Sequence, residues 1–251
     1  MIIQPCSCSG AQKAAPAEEP VGHLESKTVS DSLPPNNAVR SYMSLMHELA
    51  IRIDLVATAC DGGLNLRPPY AREYAYLQFR RCCELMALGC LFLHGDLPLA
   101  QTNSAKKEWN ADKIMRMLNK AHPYAFPQSV ITERTTLGMN IKANAKPEAL
   151  SFDEFKKLYA ECGEVLHRGT IRTVEVFGMP SQVDYEKVIS WQCKIVHLMN
   201  EHIVVSANGK DLYLIALRSP SGFPQCSILT PDPATGTMKV RQFKADSGRT
   251  L

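Results

Sequence analysis

Arg80, Arg81 and Glu84 stand inside the most apolar stretch of the chain, REYAYLQFRRCCELMALGCLFLHGD, residues 72–96. Arg80 and Glu84 are four positions apart, so on a helix they share one face. Around them run Leu77, Phe79, Cys83, Leu85, Leu88, Leu91 and Phe92, the composition of a helix buried on most sides. An unpaired charge in such surroundings is costly. The pair is therefore expected to be largely buried and matched, either internally or with a second segment. FDEFKKLYAECGEVLHRGT, residues 152–170, supplies that segment and brings Tyr159, Glu164 and His167 near one helix end. Arg80, Arg81, Glu84 and Tyr159 then form a polar core. Such a cluster could position a phosphate or a catalytic histidine. The favoured alternative is a satisfied pair that fixes helix register, for which the planar guanidinium of arginine suits a carboxylate well.

Two histidines are candidates for proton transfer. His167 ends the 152–170 segment, and a helix carboxyl end favours a cationic side chain there. It is a candidate general acid or base, or a helix cap. His122 follows Arg116 with five residues between them. Six positions are about 600° of helix rotation, so a regular helix points the two side chains in different directions. Acting together, they would need a local distortion or a second subunit.

Other chemistry is narrowed by absence. No phosphate-binding glycine loop, H-E-x-x-H, G-x-S-x-G or C-x-x-C occurs, so no cofactor is expected. The seven histidines show no metal-ligand spacing, and no metal is expected. The nine cysteines are odd in number and irregularly spaced, with six inside helical patterns. That suits buried thiols in a reducing compartment. Cys6 and Cys8 form a C-x-C with no second pair to complete a metal site. No apolar run is long enough for a membrane span and no secretory leader pattern opens the chain, so a cytoplasmic location and no membrane partner are expected.

The elements that must position these residues follow from periodicity. Residues 1–37 are rich in Ala, Pro, Ser and Glu, with two lysines against four acidic residues. They read as a flexible tail. Residues 38–201 read as a helical bundle. Helices are expected over about 38–60, 68–96, 105–121, 151–169 and 181–200. Leu45, Leu49, Ile53 and Val56 give the first its apolar face. Asp61-Gly62-Gly63 stops it and Pro68-Pro69 opens the second. The third is expected to carry Trp109, Ile114, Met117 and Leu118 on its apolar side. Ser151 and Glu154 frame a capping box for the fourth. A short hairpin is conceivable at residues 129–132 and 139–142. From residue 202 the period becomes two, with strands flanking Asn208-Gly209. Met238–Phe243 is expected to turn Lys239 and Arg241 to solvent, opposite Met238 and Val240. The fold class expected is mainly α, a five-helix bundle followed by a small antiparallel β-meander at 202–251. At 251 residues and 45% hydrophobic content the chain can bury one sizeable core. Its net charge of +3 permits RNA binding without requiring it.

Two apolar helices with Arg and Glu inside, followed by a helix ending LYAECGEVLHRG, resemble HEPN domains over roughly residues 38–200. These are prokaryotic helical bundles, many of them RNA-cleaving toxins or phage-defence effectors. Their active members carry Arg, four to six residues, then His on one helix. His167 matches the family's histidine by context, while the expected arginine positions hold Ala160, Glu161 and Cys162. Arg116 and His122 match the spacing. The resemblance implies a non-catalytic or regulatory binding module in bacterial stress or phage defence, with RNA and a second copy of the chain as candidate partners. Its alternative is a metal-independent ribonuclease toxin, with an Arg/His pair assembled at a dimer interface.

Overall fold

The computed structural model describes residues 35–135, 138–144, 148–167, 182–234 and 237–244. They all fall in one compact unit, Ser32–Leu251. Most of the tail expected at residues 1–37, including Cys6 and Cys8, lies outside the described residues, but its last three positions already belong to a helix.

The elements run in order as α1 (Pro35–Cys60), α2 (Pro68–Leu93), α3 (Asn103–Lys107), α4 (Ala111–Ala121), β1 (Gln128–Thr135), β2 (Gly138–Ala143), α5 (Phe152–Leu166), α6 (Gln182–Met199), β3 (Glu201–Val205), β4 (Leu212–Ala216), β5 (Gln225–Asp232) and β6 (Thr237–Lys244). This corrects the expected class. The described residues hold six helices, and the sheet is six-stranded in the order β2-β1-β3-β4-β5-β6. Every neighbouring pair is antiparallel, and the sheet curls into a half-barrel. It is no small terminal meander, because β1 and β2 come from the middle of the chain, between α4 and α5. They join β3 through the pairs Gln128↔Ile203 and Ser129↔His202. Such pairing is long-range in sequence and leaves little local signal.

One core unites helices and sheet. Leu49, Val56, Phe79, Met86, Ile114, Leu118, Phe155 and Ile195 pack in the same cluster as Val204, Tyr213, Ile215 and Ile228. α1 and α2 form the antiparallel pair at its centre. They approach so closely that a Cβ on Gly89 would lie 2.8 Å from the Tyr42 ring, which only glycine avoids. Tyr42 in turn donates its hydroxyl hydrogen to His202 Nε2 at 2.6 Å, tying α1 to β3. The Asn208-Gly209 turn forms as the sequence indicates. Gly209 has φ +68°, and Ser206 N–H donates to Asp211 O at 2.9 Å to close the loop between β3 and β4.

The expected helix over 105–121 is broken. The Glu108 carboxylate accepts from the amides of Trp109 at 3.1 Å and Asn110 at 2.9 Å. Asn110 then caps α4, its Oδ1 accepting from Lys113 N–H at 3.0 Å. The break swings Trp109 away from the core, where the helical periodicity had placed it.

The opposite sheet face carries a second, smaller apolar cluster of Val130, Leu214 and Leu229, with Ile141, Ile203 and Leu212 against it. β6 differs from the expected half-buried strand. Both Lys239 and Arg241 on one side and Met238 and Val240 on the other are exposed.

Candidate functional site

α2 brings Arg80, Arg81 and Glu84 together in successive turns. Arg80 Nε lies 3.2 Å from Glu84 Oε1 and Arg81 Nη1 lies 2.8 Å from Oε2. Glu84 is thus held by both arginines. Arg80 and Glu84 are half-buried and Arg81 is exposed, so the layer sits at the rim of the core. α5 adds Tyr159, whose ring lies 5.3 Å from the Arg80 guanidinium carbon, a cation–π geometry. Burial raises the Tyr159 hydroxyl above its ordinary value, and Arg80 partly offsets this. One turn back, α2 supplies a second set absent from the sequence reading. Tyr76 donates to Glu161 at 2.5 Å, and Lys187 of α6 reaches the same carboxylate at 2.7 Å. Burial, and then the Glu161 bond, push the Tyr76 hydroxyl up. Glu84 is met by two arginines of its own helix, whereas Glu161 ties α5 to α2 through the Tyr76 hydroxyl and to α6 through Lys187.

The three candidate catalytic residues are placed apart. His167 is the exposed residue after α5, its amide donating to Gly163 O at 3.0 Å. Arg116 is exposed on α4, with its Nε 2.8 Å from Asp112 Oδ2. His122 ends α4 with extended backbone at φ −146° and ψ 104°, so the helix that would relate it to Arg116 has already stopped. Its Nε2 turns to Val205 O at 3.3 Å. Among the described residues no hydrogen bond, ion pair or ring contact joins Arg116, His122 and His167.

His122 instead meets His94, with ring centroids 5.2 Å apart. His94 is fully buried at the end of α2. Its Nδ1 lies 2.7 Å from Cys90 O and its Nε2 lies 3.0 Å from Val205 O. Burial holds its pKa below the usual value, opposed by the two carbonyls and reinforced by His122. A neutral ring has one N–H. That hydrogen goes to one of the two carbonyls, and Val205 O also has His122 Nε2 within reach at 3.3 Å. Among the described residues, no group of three or more His, Cys, Asp and Glu side chains is placed to hold a metal.

The α4 region combines an exposed basic face with an exposed aromatic residue beyond each end of the helix. Lys113, Arg116 and Lys120 are exposed on α4. Spaced three and seven positions apart, they fall within about 60° of one another around the helix. Lys106 and Lys107, also exposed, extend the charge through the last turn of α3. Asp112 and Glu108 answer Arg116 and, at 4.0 Å, Lys113, so five basic groups face two acidic ones. Trp109 at 66% exposure flanks one end of α4 and Tyr124 at 57% the other. The sequence reading missed this face because it assigned Trp109 to the core. The signal that could have found it is Asn110, a capping residue placed directly before a new amphipathic turn.

Compared with protein-family models, curated proteins and solved structures, the chain matches none.

Proposed function

We propose that this chain is a non-catalytic binding module that holds single-stranded RNA against the exposed face of α4. The observation carrying this reading is the basic stripe Lys113–Arg116–Lys120 set between Trp109 and Tyr124. Basic side chains answer the phosphates, and exposed rings give unpaired bases a stacking surface. α4 spans about 16 Å at 1.5 Å per residue, room for several nucleotides between the two rings. The binding role is also the one implied by the HEPN-like resemblance. Cleavage is disfavoured because a general base needs an available ring nitrogen beside a charge-stabilising group. His122 points to a backbone carbonyl, and among the described residues no hydrogen bond, ion pair or ring contact joins it to Arg116.

Trp109 reports directly on this surface, since Trp191, the other tryptophan, is buried. Titration with oligouridine at low salt is expected to quench Trp109 fluorescence saturably. Trp109→Phe removes the signal, and the combined Lys113→Glu, Arg116→Glu and Lys120→Glu variant abolishes binding. With three phosphate contacts, log K against log salt falls with a slope of about −2. Binding that survives the triple charge reversal would overturn the assignment.

A further inference from the structure

Among the described residues β6 is one of the two edges of the sheet. In the order β2-β1-β3-β4-β5-β6 its only neighbour is β5, which it matches in full register from Gln225↔Lys244 to Asp232↔Thr237. Among the described residues no strand pairs with its outer side. The backbone groups on that side therefore form a template for another strand. Over Met238, Lys239, Val240 and Arg241 the side chains alternate between apolar and basic. Val240 and Met238 lie opposite Leu229 and Pro231, on the face that holds the Val130–Leu214–Leu229 cluster. Arg241 and Lys239 lie opposite Ile228 and Thr230, on the other face. Val240 is 52% exposed, so the small apolar cluster runs out to the open edge. The β5–β6 hairpin contains Lys239, Arg241 and Lys244 against a single acidic residue, Asp232, which reaches Lys239 at 3.1 Å.

We infer that β6 accepts an extended acidic peptide as a seventh strand, with apolar residues of the peptide extending the Val240–Met238 face and its carboxylates meeting Arg241 and Lys239. An added strand presents its residues to alternate faces. The matching partner therefore alternates apolar and acidic residues. A second copy of β6 does not fit, since antiparallel self-pairing sets basic side chains against basic ones, and like charges across a strand pair repel.

The probe is a capped octapeptide of alternating valine and glutamate, as long as the eight residues of β6. Fluorescence anisotropy of the labelled peptide is expected to show saturable binding to the full chain, and amide exchange should slow along β6. Arg241→Glu, at an exposed position, keeps the melting temperature and weakens binding about tenfold, equivalent to about 1.4 kcal/mol. The same variant gains affinity for the alternating valine–lysine peptide. Lys113→Glu with Arg116→Glu and Lys120→Glu leaves peptide binding unchanged, so this site and the α4 surface stand or fall separately. Equal binding of octaglutamate would show simple charge attraction and overturn the proposal. So would absence of saturable binding, indifference to Arg241→Glu, or displacement of the peptide from β6 by oligouridine.

Discussion

His202 is fully buried, and its hydrogen bonds settle its state. Nδ1 donates to Met199 O at 3.0 Å and Nε2 accepts from Tyr42 at 2.6 Å. This is a complete set for a neutral ring, and burial lowers its pKa to about 4. An unfolded histidine titrates near ~6.5. Between these values the unfolded chain binds the proton and the native chain does not, so stability falls as pH falls through this window. Above it the contribution is complete. The shift is worth about 3 kcal/mol, and His94, lowered for the same reason, adds to it. The urea midpoint is expected to drop from about pH 7 to about pH 4.5 more steeply than in His202→Gln; equal slopes would refute the assignment. Glu84 offers a second test at this scale. At 14% side-chain exposure it holds Arg80, itself half-buried, and Arg81. Its burial lies between the surface and interior cases, so Glu84→Ala should cost about 1–2 kcal/mol in denaturant unfolding. The Arg80–Glu84 pair was legible because helical spacing is local. Tyr42 with His202, and Tyr76 with Glu161, are separated by 160 and 85 residues. No spacing rule reaches that far.

Within single elements the sequence spoke clearly wherever a local rule governed. Ser151 and Glu154 form the expected capping box, the Ser151 hydroxyl accepting from Glu154 N–H at 3.3 Å and the carboxylate accepting from Ser151 N–H at 2.9 Å. Glu154 also meets Lys194 at 3.0 Å. Burial tends to raise its carboxyl pKa, but the Ser151 amide and Lys194 prevail and lower it. Ser151→Ala should therefore destabilise α5 by about 1 kcal/mol, read as a shift in melting temperature. Gly89 tests two opposing terms. Alanine gains about 1 kcal/mol of helix propensity, yet its Cβ would lie 2.8 Å from a rigid, buried ring. Overpacking costs about 1–3 kcal/mol, so Gly89→Ala should lower stability, and a rise in melting temperature would show that Tyr42 can move. Periodicity failed at the Glu108–Asn110 break because side-chain capping interrupted a pattern that continues in the sequence. It also could not show that β1 and β2 belong to the later sheet, since strand order is fixed by contacts between distant segments.

Across the whole molecule, the separation of the candidate groups supports the proposed reading of a binding module over that of a ribonuclease. The sheet packs against the bundle and draws His122 to Val205 at the end of β3. His167 stays exposed at the end of α5, while Arg116 lies mid-α4 beside Asp112. Bringing a histidine and an arginine to one phosphodiester would require a second chain or a rebuilt α4 end, and the Val205 contact resists the latter. Purified protein is accordingly expected to bind mixed RNA and leave it intact, with His122→Ala and His167→Ala unchanged in that assay. His122→Ala should instead lower stability, because Val205 O loses one of its two imidazole contacts and His94 loses its ring neighbour. A lost hydrogen bond of this kind costs about 0.5–1.5 kcal/mol, measurable by urea unfolding at neutral pH. RNA cleavage that disappears in either alanine variant would reverse the argument, since it would mean that the groups meet in an assembly of two chains.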